Sequence, residues 1–209
     1  NTRSRGLGDV YKRQLYDLES IKPGIIHLGL GNFHRAHQAL YLDDLFNMDL
    51  DHDWGIVGSG VMPHDAAMRK ALFEQDLLTT VVELEPEANR VRVIGSMVDF
   101  LPVESGNPSL IRALCNPEIR IVSMTITEGG YFIDPATGKF NPNFPQMIND
   151  SKNLESPDTV FGVLVQALKL RRQKGIPPFT VMSCDNLPRN GKVAKDVIVG
   201  LADLSDSKF

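Results

Sequence analysis

The stretch that most constrains this chain is Gly24-Ile25-Ile26-His27-Leu28-Gly29-Leu30-Gly31, an apolar run that rises into Gly-x-Gly. Apolar residues at helical spacing follow at once: Ala36, Ala39, Leu40, Leu42, Leu45 and Phe46. A buried strand, a tight turn and a helix satisfy this pattern, and exposed N–H groups at such a turn can hold a pyrophosphate. Two glycines alone also suit a plain turn. The third glycine of the usual Gly-x-Gly-x-x-Gly pattern is absent, because His34 stands in its place.

The remaining elements extend the alternation. Residues 54–61 read as a second buried strand, and residues 65–75 as a helix with Ala67, Met68, Ala71 and Leu72 inward. Residues 79–84 and 90–94 are rich in β-branched side chains around a polar connection, which predicts a hairpin-like pair. A short helix from 107–108 to 114 and a strand at 119–125 follow. Residues 134–143, full of Pro, Gly and Asn, read as a surface loop. Ser156-Pro157 reads as the start of a helix running to about residue 174, which Gly175 ends. A strand at 179–183 and a polar connection at 184–191 lead to a final helix. The fold class expected is α/β: a Rossmann-like, doubly wound, mainly parallel sheet with a hairpin-like insertion.

Composition narrows the function classes. With 42% hydrophobic and 23% charged residues among 209, the chain can bury one sizeable core. No apolar run reaches membrane-spanning length, so no membrane partner is expected. Cys115 and Cys184 stand far apart without metal spacing, which fits free thiols in a reducing, cytoplasmic compartment. Residues 1–14 lack periodicity and resemble translated adapter read-through, so they are expected to be a non-native or disordered tail. Their net +3, taken from the formal −4, leaves a body of −7 that offers no nucleic-acid stripe. Residues 15–209 form the expected domain, and the final helix runs out without a stop signal, which reads as a fragment.

Four segments lie where an α/β sheet gathers its ligands, beyond the carboxyl ends of strands. In residues 29–35, Gly29 permits the turn, Gly31 admits phosphates, and Arg35 can add a charged contact. His34 and His37 are three apart, but no carboxylate or thiol completes a metal set, so no metal is expected. In residues 60–65, Asp65 can accept from ribose hydroxyls and favour NAD over NADP, or simply cap the helix. The pair Gly129-Gly130 after Thr127 and Glu128 allows close approach to a nicotinamide. In residues 183–190, Asn186 can donate to a carbonyl oxygen that gains charge during hydride transfer, although Asp, Asn and Pro also build turns.

The blocks Gly29-Leu30-Gly31-Asn32-Phe33-His34-Arg35-Ala36-His37, Thr127-Glu128-Gly129-Gly130-Tyr131 and Ser183-Cys184-Asp185-Asn186-Leu187-Pro188-Arg189-Asn190-Gly191 together resemble the mannitol dehydrogenase family of polyol-specific long-chain dehydrogenases. The resemblance covers about residues 15–209 and implies an N-terminal Rossmann-type domain. It implies metal-independent, NAD-dependent interconversion of a sugar alcohol and a ketose, D-mannitol and D-fructose first. Fructuronate or tagaturonate reductases and arabinitol dehydrogenases are the alternatives within the family, and a non-catalytic nucleotide-binding module is the alternative outside it. By position, Gly29, Gly31, Asn32, Phe33, His34, Arg35, Asp65, Thr127, Glu128 and Gly129 would hold the cofactor, and Asn186 would polarise the substrate oxygen. His64 stands where the family usually has a second acid beside Asp65. The family's base, a lysine, belongs to a C-terminal domain whose motifs do not occur in these 209 residues, so the chain alone is expected to bind cofactor weakly and not to turn over.

Overall fold

The structure, a computed structural model, describes residues 14–84, 86 and 89–206. Most of the expected tail, residues 1–13, therefore lies outside the described residues. Gln14 donates its side-chain amide to the Val93 carbonyl at 2.8 Å.

Five parallel strands form the main sheet. They are β1 (Pro23–Leu28), β2 (Gly55–Ser59), β5 (Met97–Phe100), β6 (Ile121–Met124) and β7 (Thr180–Ser183), in the spatial order β5-β2-β1-β6-β7. Strand β3 (Thr79–Leu84) and strand β4 (Asn89–Ile94) pair antiparallel as a separate ribbon, the expected hairpin insertion. The order reverses between β1 and β6, so the chain leaves these neighbours in opposite directions and opens a crevice at their carboxyl ends.

Period-two alternation in β1 explains how the two faces are filled. Ile26 and Leu28 join Val122 and Met124 of β6 in the larger core, beneath α4 (Pro108–Leu114), α6 (Val160–Gln173) and α7 (Asn190–Ser205). Ile25 joins Ile56, Leu72 and Phe100 on the other face. Burying each such aliphatic side chain contributes about 1.5–3 kcal/mol, enough for the apolar runs to dictate the strands.

Four details depart from the sequence reading. The helix after Gly31 is two helices, α1 (Asn32–Ala36) and α2 (Gln38–Asn47), broken at His37 with φ −123° and ψ −77°. His34 and Ala39 are both buried, yet five residues place them about 140° apart on a continuous helix, so the break rephases the buried face. In α3 (Asp65–Glu74), Leu72 is buried but Ala67 and Ala71 are exposed. Helix α6 begins at Val160, not near Ser156, because Thr159 supplies the cap by accepting from the Gly162 amide at 3.0 Å. Buried Asp150 takes the Asp158 and Thr159 amides just before it. Strand β5 and helix α5 (Pro145–Lys152) were not anticipated.

Candidate cofactor and substrate site at the carboxyl edge of the sheet

Gly29 ends β1 with φ +90°, and a Cβ there would lie 2.2 Å from the Thr125 carbonyl oxygen. Only glycine fits, on both counts. The Gly29 amide donates to Ser59 O at 3.1 Å, and the Gly31 amide to Gly29 O at 2.9 Å, which closes the turn. Gly31 opens outward, with nothing within 4 Å of where its Cβ would be. Phe33 is half exposed, and Arg35 donates to the Asn32 side-chain oxygen at 2.6 Å.

His34 turns the other way. It is fully buried and stacks on His27, with ring centroids 3.8 Å apart and planes 14° from parallel. His27 shares its strand face with Ile25, and its partner in register on β6 is Ser123. His27 Nδ1 lies 2.7 Å from Ser123 Oγ, and its Nε2 lies 3.1 Å from both Gly29 O and Thr125 Oγ1. Gln38 closes the network, donating to Ser123 Oγ at 3.0 Å and sitting 3.1 Å from His34 Nδ1. Burial lowers both imidazoles, His27 well below its ordinary value and His34 to about 4. The pair is therefore a neutral polar pad beneath the glycine turn.

Asp65 folds back over the exit of β2. Its Oδ2 accepts from the Met62 amide at 2.9 Å, and a Cβ on Gly60 would meet the carboxylate at 2.1 Å. His64 Nε2 lies 3.7 Å from Asp65 Oδ1. Asp65 does not cap α3: it is the first helical residue, His64 holds the cap position without a side-chain cap bond, and the carboxylate instead closes the β2 loop through the Met62 amide.

The β6 loop begins with Thr127 at φ +65° and ψ 161°, a costly backbone for a β-branched residue, and enters a 3-10 turn at Glu128–Tyr131. Thr127, Glu128 and Gly129 are exposed, and Gly129, like Gly31, faces open space. Asn186 follows β7, exposed, and its side chain makes no hydrogen bond among the described residues. Its neighbour Asp185 was not singled out from the sequence. The Asp185 carboxylate accepts from the Ile126 and Thr127 amides, both at 3.0 Å, and from Tyr131 OH at 2.6 Å. An aspartate in a turn gives no local signal for partners so far away.

Lys192 pairs with Asp196 one helical turn on, and Lys195 is exposed beside it on α7. Among the described residues, no group of three or more His, Cys, Asp or Glu side chains could hold a metal ion. No described helix is long and apolar enough to cross a membrane.

The model of the mannitol dehydrogenase Rossmann domain matches residues 23–209. The chain belongs to the mannitol dehydrogenase family. It is 55% identical over 197 residues to a mannitol 2-dehydrogenase of Cereibacter sphaeroides, covering 94% of this chain and 41% of that protein. A polyol:NADP oxidoreductase of Gluconobacter oxydans is 45% identical, over 93% of this chain and 40% of its own length. The solved mannitol 2-dehydrogenase of Pseudomonas fluorescens, a ternary complex with NAD and D-mannitol, superposes with a TM-score of 0.88 at 46% identity. That match covers 93% of this chain and 40% of the solved one. The chain thus spans about two fifths of the length of the relatives it matches.

Proposed function

We propose that this chain is the cofactor-binding domain of an NAD-dependent polyol dehydrogenase, acting in the cytoplasm on D-mannitol and D-fructose. The observation that carries the reading is the convergence of the Gly29, Asp65, Thr127 and Asn186 loops on one edge of the sheet. The residues fit a dinucleotide: Gly31 and Gly129 present bare backbone to open space, while Gly29 is locked beneath by the Thr125 carbonyl. Gly31, Asn32, Phe33 and Arg35 would line the pyrophosphate, with His34 supporting them from below. Asp65 would accept from the adenosine ribose, and its charge disfavours the extra phosphate of NADP. Thr127, Glu128 and Gly129 would flank the nicotinamide.

A bound NAD, held by these loops, would supply the acceptor for the hydride of the alcohol carbon. Asn186, exposed and without a side-chain hydrogen bond among the described residues, would donate its amide to the substrate oxygen and stabilise the charge that develops there. The lysine that takes the alcohol proton in this family would come from a C-terminal domain beyond these residues. Lys192 is tied to Asp196, and neither it nor Lys195 replaces that base.

The test is steady-state oxidation of D-mannitol by the full-length protein. Asn186→Ala should lower kcat about 10²- to 10³-fold, the range seen when one oxyanion donor is removed. An unchanged kcat would refute the role of Asn186. A clear preference for NADPH over NADH in a direct titration would refute the role of Asp65.

A further inference from the structure

We propose that Asp185 is a positioning residue that locks the β6 loop to the β7 loop, so that Asn186 and the Thr127–Gly129 backbone are held as one rigid unit. The inference rests on the reading of Asn186 given above and extends it to the neighbouring side chain.

The geometry is that of a clamp closed at both ends. The Asp185 carboxylate reaches across to β6 and takes the Ile126 and Thr127 amides on separate oxygens, 58–59 residues away in sequence. Tyr131 OH adds a third bond, and also meets Ser183 Oγ at 2.6 Å on the last residue of β7. Tyr131 is itself fully buried and packs edge-on against Phe161 of α6, with centroids 5.5 Å apart, so the clamp is anchored in the core. At the other end, the Asp185 carbonyl accepts from the Leu187 amide at 2.9 Å and from the Asn190 side chain at 3.1 Å. Asn190 also donates to Ser183 O at 3.0 Å, fixing the start of α7 to the end of β7.

Thr127 shows why a clamp is needed. Its φ of +65° is a conformation that side chains adopt only when surrounding contacts impose it. The bond from its amide to Asp185 is such a contact, and charge-assisted bonds to a carboxylate are the strong ones. Asn186, the next residue after Asp185, makes no side-chain hydrogen bond among the described residues. Its direction is therefore set through the backbone that Asp185 fixes. Precise placement matters, because a displacement of about 1 Å at a reacting group can cost about 10²-fold in rate.

Asp185→Asn is the sharpest probe. It keeps the volume but sets an NH2 group against a backbone N–H, donor facing donor. In the full-length protein, assayed with D-mannitol and saturating NAD, it should lower kcat about 10- to 100-fold, and it should weaken NADH binding by a smaller factor, because Thr127–Gly129 flank only the nicotinamide end of the cofactor. In an Asn186→Ala background the same substitution should cost less than about twofold more in kcat at saturating NAD, because the substrate-facing group it positions is gone. Tyr131→Phe, which leaves both amide bonds in place, should show the same pattern at smaller amplitude. It keeps the proposal testable if Asp185→Asn fails to fold. Losses that multiply in the double variant, or a loss confined to NADH affinity and thermal stability, would overturn the clamp while leaving Asn186 in its role. An Asn186→Ala variant with unchanged kcat would overturn the reading of Asn186 itself, and the positioning role with it.

Discussion

His27 and His34 lie face to face, 3.8 Å between centroids, with no water-facing edge on either ring. Their neighbours are polar but uncharged (Ser123, Thr125 and Gln38), and the cation of Arg35 beside His34 also disfavours protonation. Both rings stay neutral in the fold at pH values where the unfolded chain takes up protons. Well above about pH 6.5 neither state is protonated, and the pair costs the fold no stability through protonation. As pH falls from 6.5 towards 4, the unfolded state gains protons that the folded state refuses, and stability drops. Each histidine contributes a slope of about 1.4 kcal/mol per pH unit in that window. Urea unfolding across that range should show the decline, and His34→Phe should make it shallower. A flat profile in the wild-type chain would contradict the neutral pair.

The two glycines of the turn should separate fold from function. Gly29→Ala puts a Cβ against the Thr125 carbonyl at a positive φ, and should destabilise the chain by about 2–4 kcal/mol. Gly31→Ala meets nothing and has an ordinary φ of −80°, so its unfolding midpoint should stay within about 0.5 kcal/mol of wild type. It should nonetheless weaken NADH binding, because a methyl group would stand where the backbone is open to phosphates. Parallel urea and NADH titrations check both. Equal effects of the two substitutions on stability would refute this division.

Asp43 of α2 anchors the hairpin insertion. Buried to 2%, it accepts from Tyr16 OH at 2.6 Å, from the Gly95 amide at 2.9 Å and from Asn47 at 2.9 Å, and faces Arg92 of β4 at 3.4 Å. Arg92 also pairs with Asp44, a hydrogen bond that raises the guanidinium above its ordinary value. Asp43→Ala leaves several of these donors without a partner and should cost about 3–5 kcal/mol. Chemical denaturation would measure it, and a loss under about 1 kcal/mol would contradict the anchoring role.

What was legible in the sequence follows the range of the interactions. Apolar runs announce buried strands locally, so β1, β2, β6 and β7 were visible, as was the ribbon of β3 and β4. Strand β5 was not, because four residues containing Asp99 at a sheet edge carry too little pattern. The break at His37 comes from packing His34 beneath β1, which no helical spacing encodes. The Gly29 turn and the exposed Asn186 were found from their places after strands. His27–Ser123 and Asp185–Thr127 were not, because strand register brings together residues 96 and 58 apart. Each of these polar residues, read alone, is equally at home in a solvated turn.

The central claim is that a dinucleotide sits on the carboxyl edge of this sheet, across the β1–β6 switch point. Amide hydrogen exchange with and without saturating NADH tests it most directly. Protection should appear in residues 30–35, 59–65 and 125–131, with none at the opposite end of the sheet, residues 22–24, 116–120 and 176–179. NADH binding that protects the opposite end, or leaves residues 30–35 unprotected, would contradict the account.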